Sequence, residues 1–165
     1  MKKTLIFLGL FGILAMPTVA QEASSQASSG SNLVFLKSGD IVFGGRVALG
    51  GVAGASFGFA ANAEYGIQEN IGVGAFFGYS GYKFYEASYT NILVLGSVNY
   101  HLDFLKIQNL DTWAAVSLGY NVGTVGDFVW GVTANARYYF TSNLALVASA
   151  GYGLGYLQVG LDYKL

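Results

Sequence analysis

The chain has 165 residues, enough for one domain, a net charge of −1 and no cysteine. That balance points to neither nucleic acid nor an anionic membrane surface, and it rules out a disulfide framework, a cysteine metal-ligand set and an anchor on an N-terminal cysteine. Only 10% of residues are charged, while 53% are hydrophobic, mean hydropathy is +0.47 and 24 residues are glycine; ordinary soluble proteins carry roughly 25% charged residues. So much glycine disfavours long helices, and past the N-terminus no run of about 18 apolar residues could span a bilayer as a helix. An apolar exterior without such helices leaves the closed β-barrel, because lipid offers no partners to free backbone groups.

Lys2 and Lys3 precede an apolar stretch from Leu5 to Met16, then Pro17-Thr18-Val19-Ala20. A positive start, a short apolar run and a small residue at the cut predict a signal peptide over residues 1–20. Residues 21–40 are expected to form a flexible periplasmic leader, since Gln21 to Ser31 has no hydrophobic period. Within it, Leu33, Val34, Phe35 and Leu36 could form a short β segment or a plug-like contact at a barrel mouth.

From Ile41 onward the apolar residues alternate with period two, as in strands with two different faces. The pattern predicts strands near 41–49, 56–66, 71–80, 89–102, 112–122, 127–140, 144–153 and 156–165. The clearest has Phe128, Trp130, Val132, Ala134, Ala136, Tyr138 and Phe140 on one face, and Val129, Gly131, Thr133, Asn135, Arg137 and Tyr139 on the other. Other lipid-facing sets are Phe57 to Tyr65, Ile71 to Tyr79, Val94 to Tyr100, Val116 to Tyr120 and Leu144 to Tyr152, taking every second residue. A soluble barrel with an apolar interior would need charges on its other face, which here is mostly Gly, Ser, Asn and Thr. Aromatic girdles are expected at both rims: Tyr65, Tyr100, Trp113, Tyr138, Phe140 and Tyr163 at one, Phe57, Tyr79, Tyr120, Phe128, Trp130 and Tyr152 at the other. The fold class is therefore all-β, an eight-stranded antiparallel up-and-down transmembrane barrel over residues 41–165. An even strand number puts both of its ends on the periplasmic side.

Several motifs resemble the small outer-membrane β-barrel domain family, the porin-like or OmpA/OmpX-like proteins of Gram-negative bacteria. They are Ala136-Arg137-Tyr138-Tyr139-Phe140-Thr141, and Gly151-Tyr152-Gly153 running into Val159-Gly160-Leu161-Asp162-Tyr163-Lys164. Glu64-Tyr65-Gly66 with Asn70-Ile71-Gly72-Val73-Gly74 resembles the family's strand–turn–strand, and Tyr100-His101-Leu102 its fourth-strand ending. The resemblance implies an outer-membrane location, contact with outer-membrane lipid, and recognition of the last strand by the insertion machinery. Family members usually end on an aromatic residue; this chain ends on Leu165 with Tyr163 two places before it.

The interior face carries Arg46, Glu64, His101, Arg137, Asp162 and Lys164, all but Arg46 near the periplasmic end. They are expected to form a structural charge cluster, with Glu64 paired to Arg137 and Asp162 to Arg46. Catalysis is a weaker reading: Ser97 or Ser117 with His101 and Glu64 could in principle form a triad, but His101 lies at the periplasmic mouth. A single histidine makes no His-rich metal site, and no catalytic, cofactor or metal residue is assigned. Gly151 to Gly155 joins two strands with no helix to hold an anion, so it is a hairpin rather than a phosphate loop.

Eight strands enclose a lumen that side chains can fill, here Phe76, Tyr139, Tyr156 and the charges. The expected surface loops, Gly50–Ala55, Gly81–Ser88, Asn121–Asp127 and Gly153–Gly155, are short, and Lys83, Phe84, Tyr85 and Glu86 give the second its chemical variety. The expected role is a structural outer-membrane barrel serving envelope integrity or surface contact. A narrow channel for ions or small solutes is the alternative, and a lipid-modifying enzyme the second.

Overall fold

The computed structural model describes residues 36–52, 55–102, 105, 107–124 and 126–165. The expected signal peptide and most of the expected leader lie outside the described residues. Eight strands follow in order: β1 (Ile41–Val52), β2 (Ala55–Gln68), β3 (Ile71–Phe84), β4 (Ala87–His101), β5 (Leu110–Asn121), β6 (Asp127–Tyr139), β7 (Leu144–Tyr152) and β8 (Leu157–Lys164). Each pairs antiparallel with the next, and β8 closes the barrel on β1 from Val42↔Lys164 to Leu49↔Leu157. No helix occurs among the described residues.

The chain begins β1 and ends β8 at the same end of the barrel, called here the terminal end; the hairpins at the opposite end define the loop end. At the terminal end, β2 turns into β3 through Glu69 and Asn70. Asn70 takes the left-handed conformation (φ 69) that its short polar side chain tolerates. Before β1, Leu36–Asp40 dock on the barrel instead of trailing from it. Gly39 N–H donates to Gly66 O (2.9 Å) and Gly66 N–H to Asp40 O (2.9 Å), and Leu36, 2% exposed, lies over Gly66 and Gly72. Of the two options for the apolar cluster, Leu36 takes the plug-like contact.

The wall is uneven in height. β3 and β4 have 14 and 15 residues, β7 and β8 only 9 and 8. Much of the expected second loop is therefore strand: pairing continues to Phe84↔Ala87, and only Tyr85 and Glu86 form the turn. At the low side, β7 leaves β6 at Val132↔Tyr152, while β5 stays with β6 up to Asn121↔Asp127.

Burial follows parity. Along β2 and β4 inward residues are buried and outward residues exposed in strict alternation through most of each strand, and the outward ones are apolar or aromatic. Two aromatic placements differ from expectation. Trp113 is 3% exposed and points into the lumen, because it shares parity with Asp111 and Ala115, while Ala114, Leu118 and Tyr120 point out. Tyr156 is 59% exposed, and the neighbouring Leu154 enters the lumen in its place. Leu154 joins Ala48, Ala55, Ala60, Leu93 and Leu95 in an apolar cluster with Phe76, Tyr82 and Val129 against it.

Because the exterior is apolar by parity, a cation on it should cost most at mid-height. In a bilayer, Val132→Arg, outward near the middle of β6, should lower unfolding free energy by about 2–4 kcal/mol, and Phe140→Arg at the strand end by about 0–1 kcal/mol. Reversible urea unfolding in lipid vesicles measures both; equal costs would contradict the assigned lipid face.

Candidate functional site

At the terminal end, inward-facing ionisable side chains from six strands meet in the lumen. β6 supplies Arg137, which is fully buried. Its three kinds of nitrogen each take a different carboxylate: Nε donates to Asp162 Oδ2 of β8 (2.8 Å), Nη1 to Asp111 Oδ2 of β5 (3.0 Å), and Nη2 to Glu64 Oε2 of β2 (2.9 Å). β2 and β6 are four strands apart in an eight-stranded ring, so Glu64 and Arg137 reach each other across the lumen. The planar fork of guanidinium suits such a three-way hub, where a lysine ammonium would not hold the same directions.

His101, at the end of β4, joins the same carboxylates. Its Nδ1 is 2.7 Å from Asp111 Oδ1 and its Nε2 3.0 Å from Glu64 Oε1. Each carboxylate oxygen is an acceptor, so both contacts are satisfied together only when both ring nitrogens carry hydrogen. Asn99 Nδ2 donates to the same Glu64 oxygen. Trp113 covers the group: its ring stacks on His101 at 5.3 Å and lies 4.4 Å below the Arg137 guanidinium, a cation–π contact. Arg46 approaches Asp162 Oδ2 at 3.6 Å from β1, donates to Ser149 Oγ (3.1 Å) and stands over the Phe76 ring.

The geometry thus brings together Arg46, Glu64, His101, Arg137 and Asp162. Both expected pairs, Glu64 with Arg137 and Asp162 with Arg46, are in contact, although Asp162 is closer to Arg137. Lys164, next to the last residue of the chain, pairs with Asp40 ahead of β1, both side chains being largely buried. Asp111 is the member sequence reasoning missed. Starting the fifth strand at 112 left it in a loop, whereas β5 begins at Leu110 and sets Asp111 directly opposite Arg137. An acid at an inward position beside the strand's first apolar residues was the available signal.

Small residues make room for this group. A side chain at Gly44 would collide with Asp162, and one at Gly72 with both Glu64 and Leu36. No metal-holding group of His, Cys, Asp and Glu occurs among the described residues, and the acids here are already committed to Arg137 and His101.

No family model matches the chain, and no curated protein matches it. Among solved structures, a de novo designed transmembrane β-barrel superposes with a TM-score of 0.55 at 19% identity, covering 79% of this chain and 99% of that one. The N-terminal β-barrel domain of Pseudomonas aeruginosa OprF gives 0.57 at 14% identity, with 78% and 98% covered. The fold is that of a small transmembrane β-barrel. In such a barrel the charged knot lies inside the wall, shielded from lipid by the strands that carry it.

Removing the hub would leave three acids with too few donors. Arg137→Met should therefore destabilise the barrel by about 3–5 kcal/mol, the usual cost of breaking a buried ion pair from one side. Combining it with Glu64→Gln should cost less than the sum of the single changes, as coupled partners do. Urea unfolding in vesicles reads both; additive losses would mean that the two side chains do not act on each other.

Proposed function

We propose that this protein is a structural outer-membrane barrel of the porin-like kind, standing in the envelope of a Gram-negative bacterium with both chain ends on the periplasmic side. Its work is mechanical and interfacial: envelope integrity, or contact at the cell surface through the β3–β4 hairpin. The reading rests above all on a lumen blocked by side chains at both ends. The Arg137 knot with Leu36 fills the terminal end, and Leu154 folds in from the β7–β8 loop at the other.

The hairpin tip supports the surface role. Tyr85 is 91% exposed and packs edge-on against Phe84, flanked by Lys83 and Glu86. The arrangement around His101 argues against a hydrolytic triad, because both ring nitrogens face carboxylates and neither faces a serine hydroxyl. Insertion would use β8, whose outward face runs Leu157, Val159, Leu161 and Tyr163.

A second reading, a narrow channel, has one observation in its favour. Arg46 Nε, Asn62 Oδ1, Ser97 Oγ, Asn99 Oδ1, Gln158 Oε1 and Asp162 Oδ1 are buried without a protein partner among the described residues. These atoms line the lumen from the terminal-end knot, where Asn99 and Asp162 stand, toward mid-barrel, and they suit water. Conductance in planar bilayers separates the readings. A blocked lumen should give no steady unitary openings in the refolded protein; reproducible openings of one size would overturn the structural reading in favour of the channel.

A further inference from the structure

The inward turn of the β7–β8 loop closes the barrel along its axis and opens it sideways. Leu154 reaches across to Gly78 on β3, where any added side-chain carbon would collide with it. With the loop drawn in, Asp127–Gly131 of β6 have a strand partner on the β5 side alone among the described residues. Asp127 caps this free edge itself, accepting a hydrogen bond from Phe128 N–H (2.8 Å).

A cavity of about 460 Å³ occupies the notch, within the roughly 300–1,000 Å³ of small-ligand pockets. Its lining decides its character. It includes inward-facing Leu93, Asn121 and Val129 together with outward-facing Phe128, Trp130 and Tyr152. The space thus meets residues of both faces of the wall at the unpaired β6 edge. The outer lip is aromatic, with the Trp130 and Tyr152 rings 4.9 Å apart, while the inner floor is the apolar cluster around Leu93 and Leu154.

We infer that this notch is a lateral port from the lipid layer into the lumen, which takes the tail of a single-chain amphiphile with an uncharged, hydrogen-bonding head. The port requires the barrel to stand in lipid and is independent of whether the lumen conducts. A tail moving from lipid to an apolar pocket exchanges one hydrocarbon-like medium for another, so the head supplies the preference. Polar groups for it stand at the loop end of the cavity. Asn121 Nδ2 donates to Asn91 Oδ1 (2.9 Å) and Asn91 Nδ2 to Ser80 Oγ (3.2 Å), which fixes both amides and leaves each a second N–H. Asp127, which also lines the cavity, puts a negative charge beside it and disfavours anionic heads.

The test uses the full chain folded in phosphatidylcholine vesicles, with folding verified by heat-modifiable gel mobility. A monoacylglycerol carrying a diazirine in its tail is added and irradiated, and its adducts are mapped by mass spectrometry. The expected result is labelling of inward-facing Leu93 and Val129, lost several-fold under excess unlabelled monoacylglycerol. Outward Val98 should label without saturating, and inward Val147, beyond the cavity, should stay unlabelled. A diazirine fatty acid should label only outward positions. Adducts confined to outward residues would overturn the port, as would equal labelling of Val147; inward labelling by the fatty acid at equal strength would overturn the assigned head. Leu93→Trp, which fills the cavity, should abolish Val129 adducts and spare Val98, while persistence of the Val129 adducts would count against the port.

Discussion

One guanidinium near the axis of the lumen ties the barrel together. Arg137 of β6 takes carboxylates from β2, β5 and β8, and two of these also hold His101 of β4. A buried ion pair is weak evidence for stability taken alone, since desolvation offsets the attraction. Its value here is positional. A slip of one residue in any participating strand would carry its charge from the lumen to the lipid face, because side chains alternate with period two. The knot therefore selects the register in which all of its members point inward. Gly44 and Gly72 supply the space in which Asp162 and Glu64 reach the hub.

The two ends of the lumen are closed by different physics. The terminal end uses a network of buried ion pairs, capped by the Trp113 ring and by Leu36. The loop end uses hydrophobic contact, with Leu154 drawn onto Ala48, Leu93 and Leu95. Between them the lumen wall is polar, with Asn62, Ser97 and Gln158 facing inward. The short β7–β8 hairpin couples two consequences: axial closure and an exposed β6 edge come from the same inward turn. A taller hairpin would cover that edge and remove the side opening.

The lipid face was legible in the sequence because alternation is a strong signal wherever every second residue is apolar. Phe57 to Tyr65, and Ile71 to Tyr79, point outward as their spacing implies. Trp113 shows where a second rule misled: an aromatic residue near a strand end suits an interface girdle, yet its parity with Asp111 and Ala115 already set it inward. Parity outranks residue type, because the pleat leaves no choice of face. Asp111 was hidden by a strand boundary, since the mixed stretch from Leu102 to Asn109 breaks the alternation and carries no single period into Leu110. Leu154 and the uneven wall were not legible at all. They depend on how a four-residue connection folds over the lumen, which no periodicity encodes.

The central claim is that Arg137 contacts three carboxylates at once. Solid-state NMR on the barrel in lipid, with labelled arginine nitrogens and labelled aspartate and glutamate carboxyl carbons, measures those distances directly. Three short contacts from the Arg137 guanidinium, assignable to Glu64, Asp111 and Asp162, are the result the account predicts. A guanidinium near one carboxylate or none would contradict it.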